Sequence, residues 1–224
     1  MISKLARLLN LRTTKVAIAF TVWLGASVVY AAVPEVTLVG TFDDLPYVRG
    51  TSIPGTVPNG YLGLNWDQLN YFEAATRSPS VGYLPATVSG PHVTANSFEH
   101  PATITTPNAS QRFTFVGAYF GAGWNNGLQI TVDGYINNVL QNTRTVTANT
   151  TGSHWFEFDY LNINKLIISS SGGNAAFAPN FGSFTHFAMD NFTISVAAPE
   201  PGTTFLLVLG GTSIMLQRRR LLFN

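Results

Sequence analysis

Leu128-Gln129-Ile130-Thr131-Val132-Asp133 sets an aliphatic side chain at every second position and a polar one between. Side chains of an extended chain point alternately to opposite faces, so this hexapeptide reads as a strand with one face in a core and one in water. The same alternation links Val36, Leu38, Gly40 and Phe42, and links Phe113, Phe115, Gly117 and Tyr119. Residues 92–97, 143–148, 154–160, 165–170 and 187–196 fit further strands. Turn formers lie between them: Pro58-Asn59-Gly60, Ser89-Gly90-Pro91, Asp133-Gly134 and Ser171-Gly172-Gly173-Asn174. Short half-polar strands joined in this way predict an all-β fold, an antiparallel β-sandwich of jelly-roll type. One short helix is expected over residues 67–75, where Leu69 and Phe72 stand three apart behind Asn65 or Asp67 as a cap.

The last strand carries an irregularity. Phe187 and Met189 share one parity, whereas Phe192, Ile194 and Val196 share the other. One extra residue in a strand flips its faces, so a β-bulge is expected at Asp190-Asn191. The first and last strands of a jelly roll often run side by side, which would bring Asp190 toward Asp43 and Asp44. Three converging carboxylates suit calcium, a hard cation that takes six to eight oxygens.

Around this body the composition is segregated. Of 224 residues 46% are hydrophobic and 10% charged, and none is cysteine, which excludes disulfide frameworks, thiolate metal sites and cysteine nucleophiles. Residues 32–198 hold five basic side chains (Arg49, Arg77, Arg112, Arg144 and Lys165) against ten acidic ones, a net charge of minus five. Nucleic acid is thereby disfavoured as a partner, because phosphate affinity needs a clustered basic face. The other basic residues sit at the two ends. Lys4, Arg7, Arg12 and Lys15 precede an uncharged run over residues 16–30, and Val29-Tyr30-Ala31 places small side chains where a signal peptidase cuts. Residues 1–31 are therefore expected to be a secretory signal helix, removed after Ala31. At the far end an uncharged run over residues 203–217 meets Arg218-Arg219-Arg220. As a helix it would reach only about 22 Å, a marginal span, with its arginines held on the cytoplasmic side.

Pro199-Glu200-Pro201, then that apolar helix, then the arginine cluster resembles the PEP-CTERM sorting signal of exported bacterial proteins. The resemblance covers residues 199–224 and describes a tag, with the body, residues 32–198, left unassigned. It implies recognition by a membrane-embedded exosortase and transient anchoring in the inner membrane. The tail would then be removed near Pro199, with display at the surface or in the matrix of a Gram-negative bacterium that makes exopolysaccharide.

Catalytic signatures are sparse. His92, His100, His154 and His186 lack zinc-binding spacing, and there is no Gly-x-Ser-x-Gly elbow. Aromatic residues outside the alternating core carry more. Trp124 stands in a glycine-rich segment, with Asn125, Asn126 and Tyr119 near it in sequence to hydrogen-bond a sugar stacked on its ring. Trp155 shares a strand face with Glu157 and Asp159, which fits a glycan-contact strip or the acid pair of a sugar-cleaving enzyme. Trp66 is expected to close one end of the core. The sequence thus points to a non-catalytic surface or matrix protein that binds polysaccharide or contributes structurally to the envelope or biofilm, with a carbohydrate-active enzyme and a self-assembling surface protein as its rivals.

Overall fold

A computed structural model describes residues 34–46, 54–77, 81–176 and 184–198. The expected signal, Ala31, the Pro199-Glu200-Pro201 spacer, the apolar run and Arg218, Arg219 and Arg220 lie outside those residues. Among the described residues no helix is long and apolar enough to cross a membrane.

Among the described residues fourteen strands form in chain order: β1 (Glu35–Gly40), β2 (Gly55–Thr56), β3 (Asn65–Asp67), β4 (Leu69–Glu73), β5 (His92–Asn96), β6 (Ala102–Thr105) and β7 (Phe113–Ala122). They continue with β8 (Asn125–Asn126), β9 (Leu128–Ile136), β10 (Val139–Ala148), β11 (His154–Ile163), β12 (Lys165–Ser171), β13 (Asn174–Ala175) and β14 (Phe187–Ala197). A single turn of α-helix, α1 (Tyr83–Ala86), precedes β5. Seven strands make one antiparallel sheet in the order β11-β7-β14-β5-β4-β2, with β1 also on β14, and five make a second in the order β10-β9-β12-β6-β3. Strand β13 pairs with β8.

The fold is an all-β sandwich. Phe113, Phe115, Phe120, Phe192 and Ile194 from the larger sheet pack in one cluster with Ile104, Leu128, Ile130, Val132, Leu166 and Ile168 from the smaller. Face-to-face sheets interdigitate their inward side chains in this way. Trp66 closes the core as expected: it is 5% exposed, meets Phe192 edge-on at 5.1 Å, and donates its indole N–H to the Tyr61 carbonyl at 2.9 Å.

Strand β14 organises the larger sheet. Its Phe192–Ala197 portion pairs with β1, and its Ala188–Met189 portion pairs with β5. First and last strands therefore lie side by side, and β1 and β5 sit end to end along the same edge of β14. Between them falls the expected bulge. Asp190 pairs with Tyr119 and Thr193 with Gly117, so three steps on β14 oppose two on β7, and Asn191 takes a left-handed φ of 49°. Met189 and Phe192 consequently both face the core.

Two expectations fail here. Residues 67–75 are not helical; they form the end of β3, then β4, then a 3₁₀ turn at Ala74–Thr76. Leu69 and Tyr71 enter the core between the sheets, while Phe72 enters a second cluster on the outer face of the larger sheet with Val81, Tyr83, Val93, Ala95 and Ala188. A strand covered on both faces loses its polar parity, and the spacing of Leu69 and Phe72 then imitates a helix. Tyr119, secondly, does not share a face with Phe113 and Phe115. The register between β7 and β14 shifts again between Phe115 and Gly117, so Ala118, Phe120 and Ala122 take over the core side.

Candidate functional site

The second cluster shapes the site. α1 and the segment before it cover the outer face of β5 and β14, burying Val81, Tyr83 and Ala86. Beside this cover opens a cavity of about 500 Å³. Phe72, Tyr83, Trp124 and Phe98 supply aromatic lining, and Asn70, Asn96, His186 and Arg77 supply polar lining. Trp124 packs partly against the second cluster, donates its indole N–H to the Tyr83 hydroxyl at 3.3 Å, and meets Phe184 edge-on at 5.2 Å. A tryptophan held by a hydrogen bond and a ring presents a fixed surface.

Protonation states at the wall follow from their partners. Burial pushes the Tyr83 phenol up to about 12, although the Trp124 bond and the Arg77 charge both pull it down. The phenol therefore keeps its proton at neutral pH, and because its oxygen accepts from Trp124 the O–H remains to donate. His186 Nδ1 lies 2.8 Å from the Asn96 carbonyl, which can only accept, so Nδ1 carries a proton, and in the tautomer this selects Nε2 is the acceptor.

Phe98 is the unusual member. It is 84% exposed, and its φ of 48° is followed by a φ of 64° at Glu99. Two successive non-glycine residues in the left-handed region store backbone strain of roughly 1–3 kcal/mol each. An apolar ring in water on a strained turn at a cavity is a feature that packing alone does not account for.

The two asparagines expected beside Trp124 serve the scaffold. Asn125 is fully buried and its Nδ2 donates to the Gly172 carbonyl at 2.9 Å. Asn126 Oδ1 accepts from the Thr150 backbone N–H at 3.0 Å and from its hydroxyl at 2.9 Å. The glycine-rich segment forms the end of β7 and then β8.

Tyr119 and Trp155 do come together, elsewhere. They oppose each other on β7 and β11, their rings 5.4 Å apart on the outer face of the larger sheet. Trp155 lies over Gly117, where a Cβ would come within 2.6 Å of the indole. Glu157 and Asp159 are exposed on the same strand as expected, while Phe158 and Tyr160 are buried.

The three aspartates do not form one site. Asp190, completely buried, accepts from the Val88 N–H at 2.7 Å, the Ser89 N–H at 3.0 Å, the Ser89 hydroxyl at 3.2 Å and the Asn191 N–H at 2.7 Å. Asp43 accepts from the His92 N–H at 3.0 Å, and Asp44 from the Tyr61 hydroxyl at 3.0 Å. Burial pushes the Asp190 carboxyl above its ordinary value, and the bonds from Ser89, Val88 and Asn191 pull it back. Among the described residues no group of three or more such side chains is placed to hold a metal ion, so calcium finds no support in this arrangement. Asp43 and Asp190 instead clasp the loop between α1 and β5 from two sides. Gly90 allows it, since with φ at 50° a Cβ there would fall 2.2 Å from the Asp43 carboxyl.

Sequence reading had found Trp124 but not Phe72, Arg77, Tyr83, Phe98 or His186. Tyr83 and Phe98 left a trace, as aromatics outside every alternating run.

No family model and no curated protein matches the chain. Among solved structures it is similar to that of TmCBM61 in complex with beta-1,4-galactotriose, with 11% identity and a TM-score of 0.31, over 63% of this chain and 95% of that one.

Proposed function

We propose that the body is a non-catalytic glycan-binding module, and that the cavity beside Trp124 is where it binds. The observation that carries this reading is Phe98, an exposed ring on a strained turn facing the same cavity as a hydrogen-bonded tryptophan. A pyranose has apolar faces that stack on rings and hydroxyls that need both donors and acceptors. The cavity offers rings in Trp124, Phe98 and Phe72, a donor in the Tyr83 O–H and an acceptor in His186 Nε2. Among its described lining residues there is no Asp or Glu, whereas glycoside hydrolysis uses two carboxyls flanking the scissile bond.

The chain ends support a place for this module. The basic and apolar leader and the resemblance of residues 199–224 to a PEP-CTERM signal fit export, exosortase processing and display among surface polysaccharides. A glycan array on the full chain in detergent tests binding: retention that disappears in Trp124→Ala and persists in Trp155→Ala supports the cavity. Loss only in Trp155→Ala would move the site to the outer face of β11, and release of reducing sugar would replace binding by hydrolysis.

A further inference from the structure

The cavity holds one cation whose chemistry is incomplete. Arg77 follows the 3₁₀ turn Ala74–Thr76, and its guanidinium carbon sits 4.3 Å from the centroid of the Phe72 ring. Stacking holds the guanidinium in one plane, which removes much of the rotamer freedom that an arginine otherwise loses on binding. Its Nε is buried and makes no hydrogen bond. A buried N–H on a charged group without an acceptor is among the more costly arrangements in a folded protein, and it points to an acceptor that arrives with a ligand.

The position of that acceptor follows from neighbours. Arg77 pulls the pKa of Tyr83 down, against the larger upward push of burial, so its charge reaches the phenol that anchors Trp124. A ring stacked on Trp124 and hydrogen-bonded to Tyr83 therefore lies within the field of Arg77. Glu99 also acts on Tyr83, in the opposite direction, but its Oε2 accepts the Thr185 hydroxyl at 3.1 Å. The body around the site is net negative by five charges, which repels densely charged polyanions at long range. One half-buried arginine with an unsatisfied Nε, inside an acidic domain, selects isolated acidic units in a largely neutral chain.

We propose that the cavity takes a carboxylate-bearing sugar, a uronate unit within a mixed polysaccharide, with the carboxylate on Arg77 and the ring on Trp124. This assignment rests on the glycan reading of the same cavity and specifies its ligand. A guanidinium and a carboxylate pair through short, charge-assisted bonds that a neutral hydroxymethyl group cannot form.

The test compares a glucuronate-containing oligosaccharide with the same oligosaccharide after carboxyl reduction, by calorimetry on the full chain in detergent. The uronate form is expected to bind about tenfold more tightly. In Arg77→Gln the ratio should fall to near one, and in Arg77→Lys, which keeps the charge and loses the fork, it should be intermediate. Circular dichroism establishes that each variant is folded, and a rise from low to high salt, which should shrink the ratio in the unmutated protein, gives the same information without any substitution. Equal binding of both oligosaccharides would overturn the acidic assignment and leave glycan binding standing. A sulfated oligosaccharide that outcompetes the uronate would overturn the carboxylate. Binding of neither, or binding unaffected by Trp124→Ala, would remove the cavity reading together with this one.

Discussion

The carboxylate of Asp190 receives both the backbone N–H and the hydroxyl of Ser89, at 3.0 and 3.2 Å, across a separation of 101 residues. One bulge in the last strand thereby fixes the loop that leads from α1 into β5, and with it the side of the second cluster on which the cavity forms. The bulge was legible as a parity slip and the turn at Ser89-Gly90-Pro91 by its residues; the bonds that join them were not, because no local pattern records an acceptor for backbone N–H groups.

Asp190→Asn leaves one carbonyl oxygen and an N–H₂ group facing the donors of Val88, Ser89 and Asn191. Loss of a charge-assisted acceptor for buried N–H groups should destabilise by about 2 kcal/mol at neutral pH, measured by urea unfolding. The pH dependence has a definite sign. A carboxyl raised in the folded state binds its proton more tightly there than in the unfolded chain, so its contribution to stability grows as pH falls from neutral toward about 4. The gap between the unmutated protein and Asp190→Asn should widen over that interval; a gap that narrows would contradict the raised value.

At the alkaline end the same sign holds for a different group. Tyr160 donates to the Val132 carbonyl at 3.1 Å, and burial, aided by Asp133 and opposed by Arg144, pushes its phenol up to about 12. Unfolded tyrosine ionises near 10, so the stability it contributes is present below about pH 10 and drains away as pH rises to about 12. Tyr160→Phe should flatten the stability profile between those limits while lowering stability at neutral pH.

Phe98→Gly separates strain from binding. Glycine adopts a positive φ without steric penalty, so the substitution should leave the unfolding midpoint unchanged or raise it slightly. Removing the exposed ring should weaken glycan retention about tenfold. A variant that loses stability and retains binding would show that the ring belongs to the core.

Gly117→Ala probes the outer face. The added methyl would meet the Phe156 carbonyl at 2.4 Å and the Trp155 indole at 2.6 Å. Overpacking against backbone should cost about 1–3 kcal/mol, and the displaced indole should show red-shifted fluorescence.

Processing gives a prediction at the level of the whole chain. Intact-mass measurement on material from its own host should find the chain beginning after Ala31 and ending near Pro199. Persistence of Arg218, Arg219 and Arg220 would replace the sorting tail by a permanent anchor.

Strands were readable wherever one face is wet, as in β9 and β11, because alternation survives there. It disappears in β4, which is covered on both sides, and the short helix was misplaced there for that reason. The cavity was scarcely readable at all. Asn70, Arg77, Tyr83, Phe98, Trp124 and His186 come from six separate stretches, and only the second cluster on the outer face of the sheet brings them together. Asn125 and Asn126 show the reverse error: closeness in sequence to Trp124 does not place them on its side of the backbone.

Strand β14 has one more consequence. The Ala198 N–H donates to the Pro34 carbonyl at 2.8 Å, so entry to and exit from the body share one corner. His186, just before β14, lines the cavity, and the strand carries the chain roughly 35 Å from there to that corner. A short splice between residues 34 and 198 would therefore give a circularly permuted body in which the cavity, at the other end of β14, is left undisturbed.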